Sequence, residues 1–135
     1  ELVAGSTLYL PIPVQDALFS VGDGHALQGD GEVSGVAIEC PMERVDLTFH
    51  VRDDLKITTP RVHTSAAWIT LGFNENLQEA TMLALDAMLD LMCEQYQLSR
   101  PHALALASLV VDLRVTQIVN GVQGVHAVLP HGVIQ

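Results

Sequence analysis

The stretch AAWITLGFNENLQEATMLALDAMLDLMCEQYQL, residues 66–98, decides the fold class because its apolar period changes partway along it. Residues 66–73 are mostly apolar, with β-branched and aromatic side chains, which predicts a strand. Asn76, with Glu79 three positions later, has the spacing of a helix-capping box. From there the polar side chains fall on one helical stripe, which consists of Glu79, Asp86, Asp90, Glu94 and Gln97. We therefore predict an amphipathic helix over residues 76–98.

A second helix is predicted over residues 100–113. Pro101 suits its first turn, where a missing N–H costs nothing, and Ser99 precedes it as a cap. The segment is apolar nearly all round, which is typical of a buried helix. Asp112 in such a helix needs a partner, and we expect an ion pair with Arg114 or Arg100.

The remaining chain predicts short strands. VDLTFHV, residues 45–51, alternates apolar and polar residues, as a half-buried antiparallel strand does. Asn120-Gly121 is the preferred pair for a two-residue hairpin turn and joins predicted strands 115–119 and 122–129. Further short strands are predicted at residues 7–10, 15–21, 36–40 and 55–62. The expected class is α+β: one domain, residues 1–135, with mainly antiparallel strands in its N-terminal part, two helices and a closing β-hairpin.

Composition excludes several function classes. Sixteen Asp and Glu residues against six Lys and Arg residues give a net charge of -10, so no basic face exists for nucleic acid or an anionic membrane. No apolar run approaches the roughly 20 residues that span a bilayer. Cys40 and Cys93 are expected to be buried free thiols, which favours a reducing, cytoplasmic location. Only 16% of residues are charged, which indicates surface that is covered in an assembly.

The residues with most chemical potential lie in GDGHALQGDGE, residues 22–32. Asp23 and His25 are two positions apart, so an extended backbone would point both side chains the same way, and Asp30 and Glu32 repeat this spacing. Mixed oxygen and nitrogen donors suit a divalent cation, and zinc in hydrolases takes three protein ligands plus water. On spacing alone, a glycine-rich turn whose Asp side chains bond their own backbone is the slightly favoured interpretation.

This segment also carries a family resemblance. ALFSVGDGHALQGDGEVSGVAIE, residues 17–39, resembles the signature stretch of the acetamidase/formamidase family. RPHALALASLVVDLR, residues 100–114, and VTQIVNGVQGVHAVLP, residues 115–130, are similar to that family's C-terminal end.

The resemblance implies hydrolysis of a short amide, such as formamide or acetamide, to a carboxylate and ammonia. It implies a divalent metal, zinc or a similar ion, held by Asp23 and His25. Calcium is the alternative metal for the same Gly-Asp-Gly turns. Asp30 would be a further ligand or an orienting group, and Glu32 the general base. Members of the family are usually about twice as long, so the expected partners are a missing N-terminal half or further copies in a homo-oligomer. Two other interpretations stay open: a non-catalytic assembly domain and a calcium-stabilised β module.

Overall fold

The computed structural model describes residues 1–134 and confirms the α+β class. Within that range, five strands form one antiparallel sheet in the spatial order first, fourth, fifth, seventh, sixth, and two form a separate antiparallel pair. In chain order the elements are β1 (Thr7–Tyr9), β2 (His25–Leu27), β3 (Ile38–Glu39), β4 (Arg61–His63), β5 (Ala67–Asn74), α1 (Leu77–Tyr96), α2 (Arg100–Val110), β6 (Asp112–Gln117) and β7 (Gln123–Pro130).

The core lies between α1 and the central strands β5 and β7. One face of α1 is fully buried, and it includes Met88, Leu91 and Met92. These side chains pack with Val125 and Leu129 of β7, so the helix covers one face of the sheet. A second and smaller cluster, of four buried side chains, lies apart from this core.

The prediction for α1 is confirmed, including its cap. The Asn76 side-chain oxygen accepts hydrogen bonds from the backbone N–H groups of Gln78 and Glu79, at 2.9 and 3.2 Å. The Asn76 N–H donates to the side chain of Asn74 at 2.9 Å, so Asn74 takes the place that a capping box gives to Glu79. Asn74 and Asn76 therefore fix together where the strand ends and the helix begins.

A helix is present where residues 100–113 predicted one, but it is not buried all round and it ends earlier than predicted. Only Ala103 and Ala107 of α2 are buried, whereas Leu109 is 80% exposed. The helix ends at Val110, and Asp112 is an exposed residue at the start of β6. The physical reason is that α2 packs through one face, its two buried alanines, into the core around α1.

The N-terminal strand predictions are partly wrong. Residues 15–21 and 45–51 form no strand, residues 55–62 contribute only Arg61 and Val62 to β4, and the prediction for 36–40 shrinks to β3. In the alternating segment, Val51 is 82% exposed and Phe49 is 65% exposed. Alternation produces a strand only where a neighbouring strand and a covering layer exist, and neither lies beside residues 45–51 within residues 1–134.

The closing hairpin is confirmed, but its loop is longer than two residues. β6 ends at Gln117 and β7 starts at Gln123, and their pairing shifts between Val115 and Gln117. Asn120 and Gly121 both adopt positive φ, at 65° and 78°. Tight hairpin turns need positive φ at both central residues, which is why Asn-Gly predicts a turn. The shift is a bulge that leaves one extra residue, Thr116, within β6, and it does not change which strands pair.

Candidate functional site

The strand pair β2–β3 brings three potential metal ligands together. His25, at the start of β2, pairs with Glu39 of β3, and Asp23 lies two residues before β2. The His25 Nε2 atom lies 3.5 Å from Asp23 Oδ1 and 3.8 Å from Glu39 Oε1. The three donor atoms all lie within 4.8 Å of one another.

The backbone around Asp23 depends on its neighbouring glycines. Asp23 has a φ of 59°, in the left-handed region, so it reaches His25 by a turn and not by the extended backbone that the spacing suggested. A Cβ on Gly24 would lie 2.3 Å from Met42 Cε. The Gly24 carbonyl accepts a hydrogen bond from Cys40 N at 3.1 Å, which ties the turn to the end of β3. The first Gly-Asp-Gly therefore shapes one wall of the ligand cluster.

The second Gly-Asp-Gly turns elsewhere. Gly31 is buried and its carbonyl accepts a hydrogen bond from Ile118 N at 3.0 Å, so this turn docks against the β6–β7 loop. Asp30 is exposed and Glu32 is half-buried. Among residues 1–134, neither joins the donor cluster of Asp23 and His25. The roles of Asp30 and Glu32 stay predictions.

Glu39 is the residue that the sequence reasoning missed. It lies fourteen positions after His25 and joins the cluster only because β3 pairs antiparallel with β2. The signal available in the sequence was its position at the end of a short apolar run just before Cys40 and Pro41. A pairing register of such a short strand cannot be read from composition.

The donor set fits a zinc-type ion. Zinc binds imidazole nitrogen and carboxylate oxygen at about 2.0–2.2 Å, so two ligands of a tetrahedral ion lie roughly 3.4 Å apart. The distances of 3.5 and 3.8 Å from His25 to its two neighbours are close to that spacing and longer than good hydrogen bonds. The site is open: Asp23, Gly24, Glu39, Cys40 and Pro41 line a depression of about 330 Å³. A small molecule can reach the cluster from solvent.

The acidic stripe of α1 is a second charged cluster, and two arginines pair with three of its carboxylates. The Arg100 guanidinium donates to the carboxylates of Asp86 and Asp90. The hydrogen bond that Arg100 donates to Asp90 raises the pKa of Arg100 above its ordinary value. On the next turn, Glu94 accepts from Arg61 Nη1 at 2.9 Å. The predicted partner of Asp112, Arg100, is thus engaged here, and Arg114 contacts Glu1 at 3.2 Å.

The chain belongs to the Acetamidase/Formamidase family, whose sequence pattern matches residues 1–134. The resemblance seen in the signature segment is thereby confirmed. Among curated proteins, none matches the chain.

Solved structures of similar fold carry acetamidase or formamidase descriptions. An acetamidase from Bacillus halodurans is 30% identical with a TM-score of 0.77, and the similarity covers 93% of this chain and 42% of that one. A predicted acetamidase/formamidase from Thermoanaerobacter tengcongensis is 28% identical with a TM-score of 0.75, again covering 93% and 42%. An acetamidase from Yersinia enterocolitica shares the fold, with a TM-score of 0.77 at 24% identity over 93% and 38%. The chain therefore spans about two fifths of the length of these proteins.

The structure also bears on the predictions about membrane spans and cysteines. In residues 1–134, neither α1 nor α2 has the length and apolar character to cross a membrane. Cys40 and Cys93 are free thiols as predicted, but both are half-buried, not fully buried.

Proposed function

We propose that this chain supplies the metal-binding part of an enzyme that hydrolyses short linear amides of the formamide and acetamide type. The observation that carries the proposal is the convergence of Asp23, His25 and Glu39 in the family's signature region. Family membership and the similarity to an acetamidase at 30% identity support the reaction class. One nitrogen and two carboxylate donors favour zinc over calcium, which prefers six to eight oxygen ligands.

The chemistry needs more than the three ligands. A bound divalent metal would lower the pKa of a water to about 7 and polarise the amide carbonyl. Glu32 is our proposed general base, since a carboxylate within reach of that water can accept its proton and return it to the leaving nitrogen. Asp30 is our proposed additional ligand or orienting group. Both lie in the turn that follows β2, Asp30 three residues and Glu32 five residues beyond Leu27.

The chain's span of about two fifths of its relatives bears on activity. We propose that the complete pocket forms with a polypeptide that corresponds to the rest of those proteins, or with further copies of this chain. The half-buried free thiols Cys40 and Cys93 support a reducing, cytoplasmic location.

Metal titration tests the site directly. We expect one zinc ion per chain by calorimetry and elemental analysis, and at least roughly tenfold weaker binding in Asp23→Asn and Glu39→Gln, because each variant removes one of three ligands. Asp53→Asn, at an exposed carboxylate outside the cluster, is the matched control and should bind like the unmodified chain. Zinc binding that is unchanged in both ligand variants would refute the assignment.

Ammonia release from formamide tests the reaction. We expect turnover by the zinc-loaded assembly to be lost in Asp23→Asn together with the metal. In Glu32→Gln, turnover should fall while zinc is retained, because this residue is assigned a proton and not the ion. Full turnover by Asp23→Asn without bound metal would contradict the proposal.

A second candidate function is a non-catalytic assembly domain with the same architecture. The specific observation in its favour is the exposure of large apolar side chains, among them Leu18 at 81%, Val51 at 82% and Leu109 at 80%. Monomeric proteins rarely expose this much apolar surface without a partner. Light scattering that shows a defined oligomer, together with no ammonia release at saturating zinc, would favour this function over the enzyme.

A further inference from the structure

The strand β6 is one edge of the five-stranded sheet, and part of this edge is open. β6 comes last in the spatial order, so its outward N–H and C=O groups have no strand partner in the described part of the chain. The far end of β6 is protected, because the pairing bulges between Val115 and Gln117 and because Ile118 N donates to the Gly31 carbonyl at 3.0 Å. Proteins block edge strands with lysine, proline or a bulge, but residues 111–115 contain no lysine or proline and precede the bulge. This open stretch, VDLRV, is therefore able to accept a further strand.

The open stretch carries apolar side chains on one face and charged side chains on the other. Leu113 pairs with Ala127, a core residue beneath α1, so its side chain points to the helix-covered face of the sheet. It is nevertheless 48% exposed because it lies at the sheet edge. Asp112 and Arg114 alternate with it and point to the opposite face. Val111, with φ −104° and ψ 124°, continues the extended backbone in front of β6.

The carboxylate of Asp112 has no partner within residues 1–134. The sequence predicted an ion pair with Arg114 or Arg100, but Arg100 pairs with carboxylates of α1. Arg114 uses Nη1 to contact Glu1 at 3.2 Å. A guanidinium has five N–H donors, so Arg114 keeps donors for a carboxylate from outside the chain. The edge therefore presents one acidic and one basic side chain, two residues apart on the same face.

We infer that β6 pairs antiparallel with β6 of a second copy of this chain, about a two-fold axis at Leu113. In this register Asp112 lies opposite Arg114 of the second copy, and Arg114 lies opposite Asp112 of the second copy, so symmetry forms two ion pairs on one face. On the other face Leu113 meets its own copy, and Val111 meets Val115. The two five-stranded sheets become one continuous sheet of ten strands.

The charges select both the register and the partner. A slip of two residues in one direction places Arg114 opposite Arg114, and a slip in the other direction places Asp112 opposite Asp112. Like charges directly opposite one another are destabilising. A slip of one residue places Leu113 opposite a charged residue and reverses the faces of one sheet. An unrelated strand would need the complementary order of apolar, acidic and basic residues, whereas a second copy carries it by symmetry.

This contact lies apart from the Asp23 cluster and goes beyond the proposed function, since it stands whether or not that cluster holds an ion. The paired stretch is short, and small interfaces are weak, so we expect a dissociation constant of about 10–100 µM for the dimer. Asp112→Arg should accordingly bind zinc like the unmodified chain, so that failure of the dimer and failure of the metal site are distinguishable.

The test measures molecular mass against concentration by analytical ultracentrifugation. Salt at about 0.15 M screens the repulsion between two chains of net charge -10. We expect the unmodified chain to change from monomer to dimer between about 1 µM and 1 mM. In ¹⁵N NMR spectra, the amides of residues 111–115 should shift over the same range. A chain that stays monomeric to about 1 mM, or shifts confined to other residues, would overturn the inference and leave this edge to a strand of another polypeptide.

Two charge reversals test the register. Asp112→Arg and Arg114→Asp each replace both ion pairs with like charges, so each variant alone should dimerise at least about tenfold more weakly. An equimolar mixture of the two variants should dimerise about as well as the unmodified chain, because the basic pair of one then faces the acidic pair of the other. Restored dimerisation also shows that both variants are folded, and circular dichroism of each variant checks this independently.

Asp53→Arg, at an exposed position outside β6, makes the same change in net charge as Asp112→Arg and is the matched control. It should dimerise like the unmodified chain. Undiminished dimerisation by Asp112→Arg or Arg114→Asp, or a mixture of the two folded variants that stays monomeric, would refute the pairing.

Discussion

Replacing Gly72 with alanine is the sharpest test of how α1 sits on the sheet. Gly72 is in the middle of β5, directly beneath the helix. A Cβ at this position would lie 2.0 Å from the Ala80 carbonyl oxygen and 2.5 Å from Ala84 N. Both are backbone atoms of α1, so no side-chain rotation relieves the overlap.

The size of the effect follows from those distances. Ordinary contacts between such atoms are about 3.2–3.5 Å, so α1 would have to retreat from β5 by roughly 1 Å. A gap of that size weakens dispersion contacts all along the buried face of the helix, including those of Met88 and Leu91. Overpacking costs about 1–3 kcal/mol in general, and we expect the upper end, about 3 kcal/mol, because the overlapping atoms are backbone.

Thermal and urea unfolding followed by circular dichroism would measure it. A loss of about 3 kcal/mol corresponds to a fall in Tm of roughly 10 °C for a domain of this size. Gly29→Ala is the matched control, since a Cβ there meets no atom within 4 Å, and its stability should change by less than about 1 kcal/mol. A Gly72→Ala chain that melts within a degree of the unmodified chain would refute the close approach of α1 and β5.

Three further outcomes are expected. Asn76→Ala should lose about 1 kcal/mol by urea unfolding because two N–H groups of α1 lose their acceptor, and Asn76→Asp should restore it. Leu91→Ala should lose about 3 kcal/mol, because the side chain is fully buried and leaves a cavity, against less than about 1 kcal/mol for exposed Leu104→Ala. The hydrogen bond from Arg52 lowers the pKa of Asp54. The small stabilisation from this pair is therefore present above the unfolded-state pKa and is lost as pH falls through the folded-state pKa. In Arg52→Gln, a carboxyl NMR titration should show the Asp54 pKa raised towards its ordinary value.

Sequence reasoning succeeded where the signal is local. The Asn76 cap, the 3.6-residue period of α1 and the positive φ of Asn120 and Gly121 all depend on a few neighbouring residues. It failed at residues 45–51, where strand formation depends on a partner elsewhere in the chain. It also overestimated the burial of α2, because an apolar composition shows what a helix is able to bury and not which elements cover it.

For the candidate site, too, the ligands close in sequence were predicted and the distant one was not. Asp23 and His25 were identified from their glycine-flanked spacing, and the structure brings them together. Glu39 was missed because strand pairing, not sequence separation, places it beside His25. Asp30 and Glu32 repeat the spacing of Asp23 and His25, but the two identical Gly-Asp-Gly sequences turn towards different neighbours, one to β3 and the other to the β6–β7 loop.

The pairing of β1 with β4 also has a consequence for how the molecule opens. Thr7 pairs with His63 and Tyr9 with Arg61, so the chain between them, including the Asp23 cluster, is a long excursion that three residue pairs close at its base. The hydrogen bond from Ile118 N to the Gly31 carbonyl attaches it again at the β6–β7 loop. α1, β5 and β7 hold the main core without it. Exchange of backbone amides with deuterium should therefore be fast throughout residues 10–59 and slow in β5, β7 and α1. The segment with the candidate ligands is then able to rearrange around an ion or a partner while the helix-covered sheet stays folded.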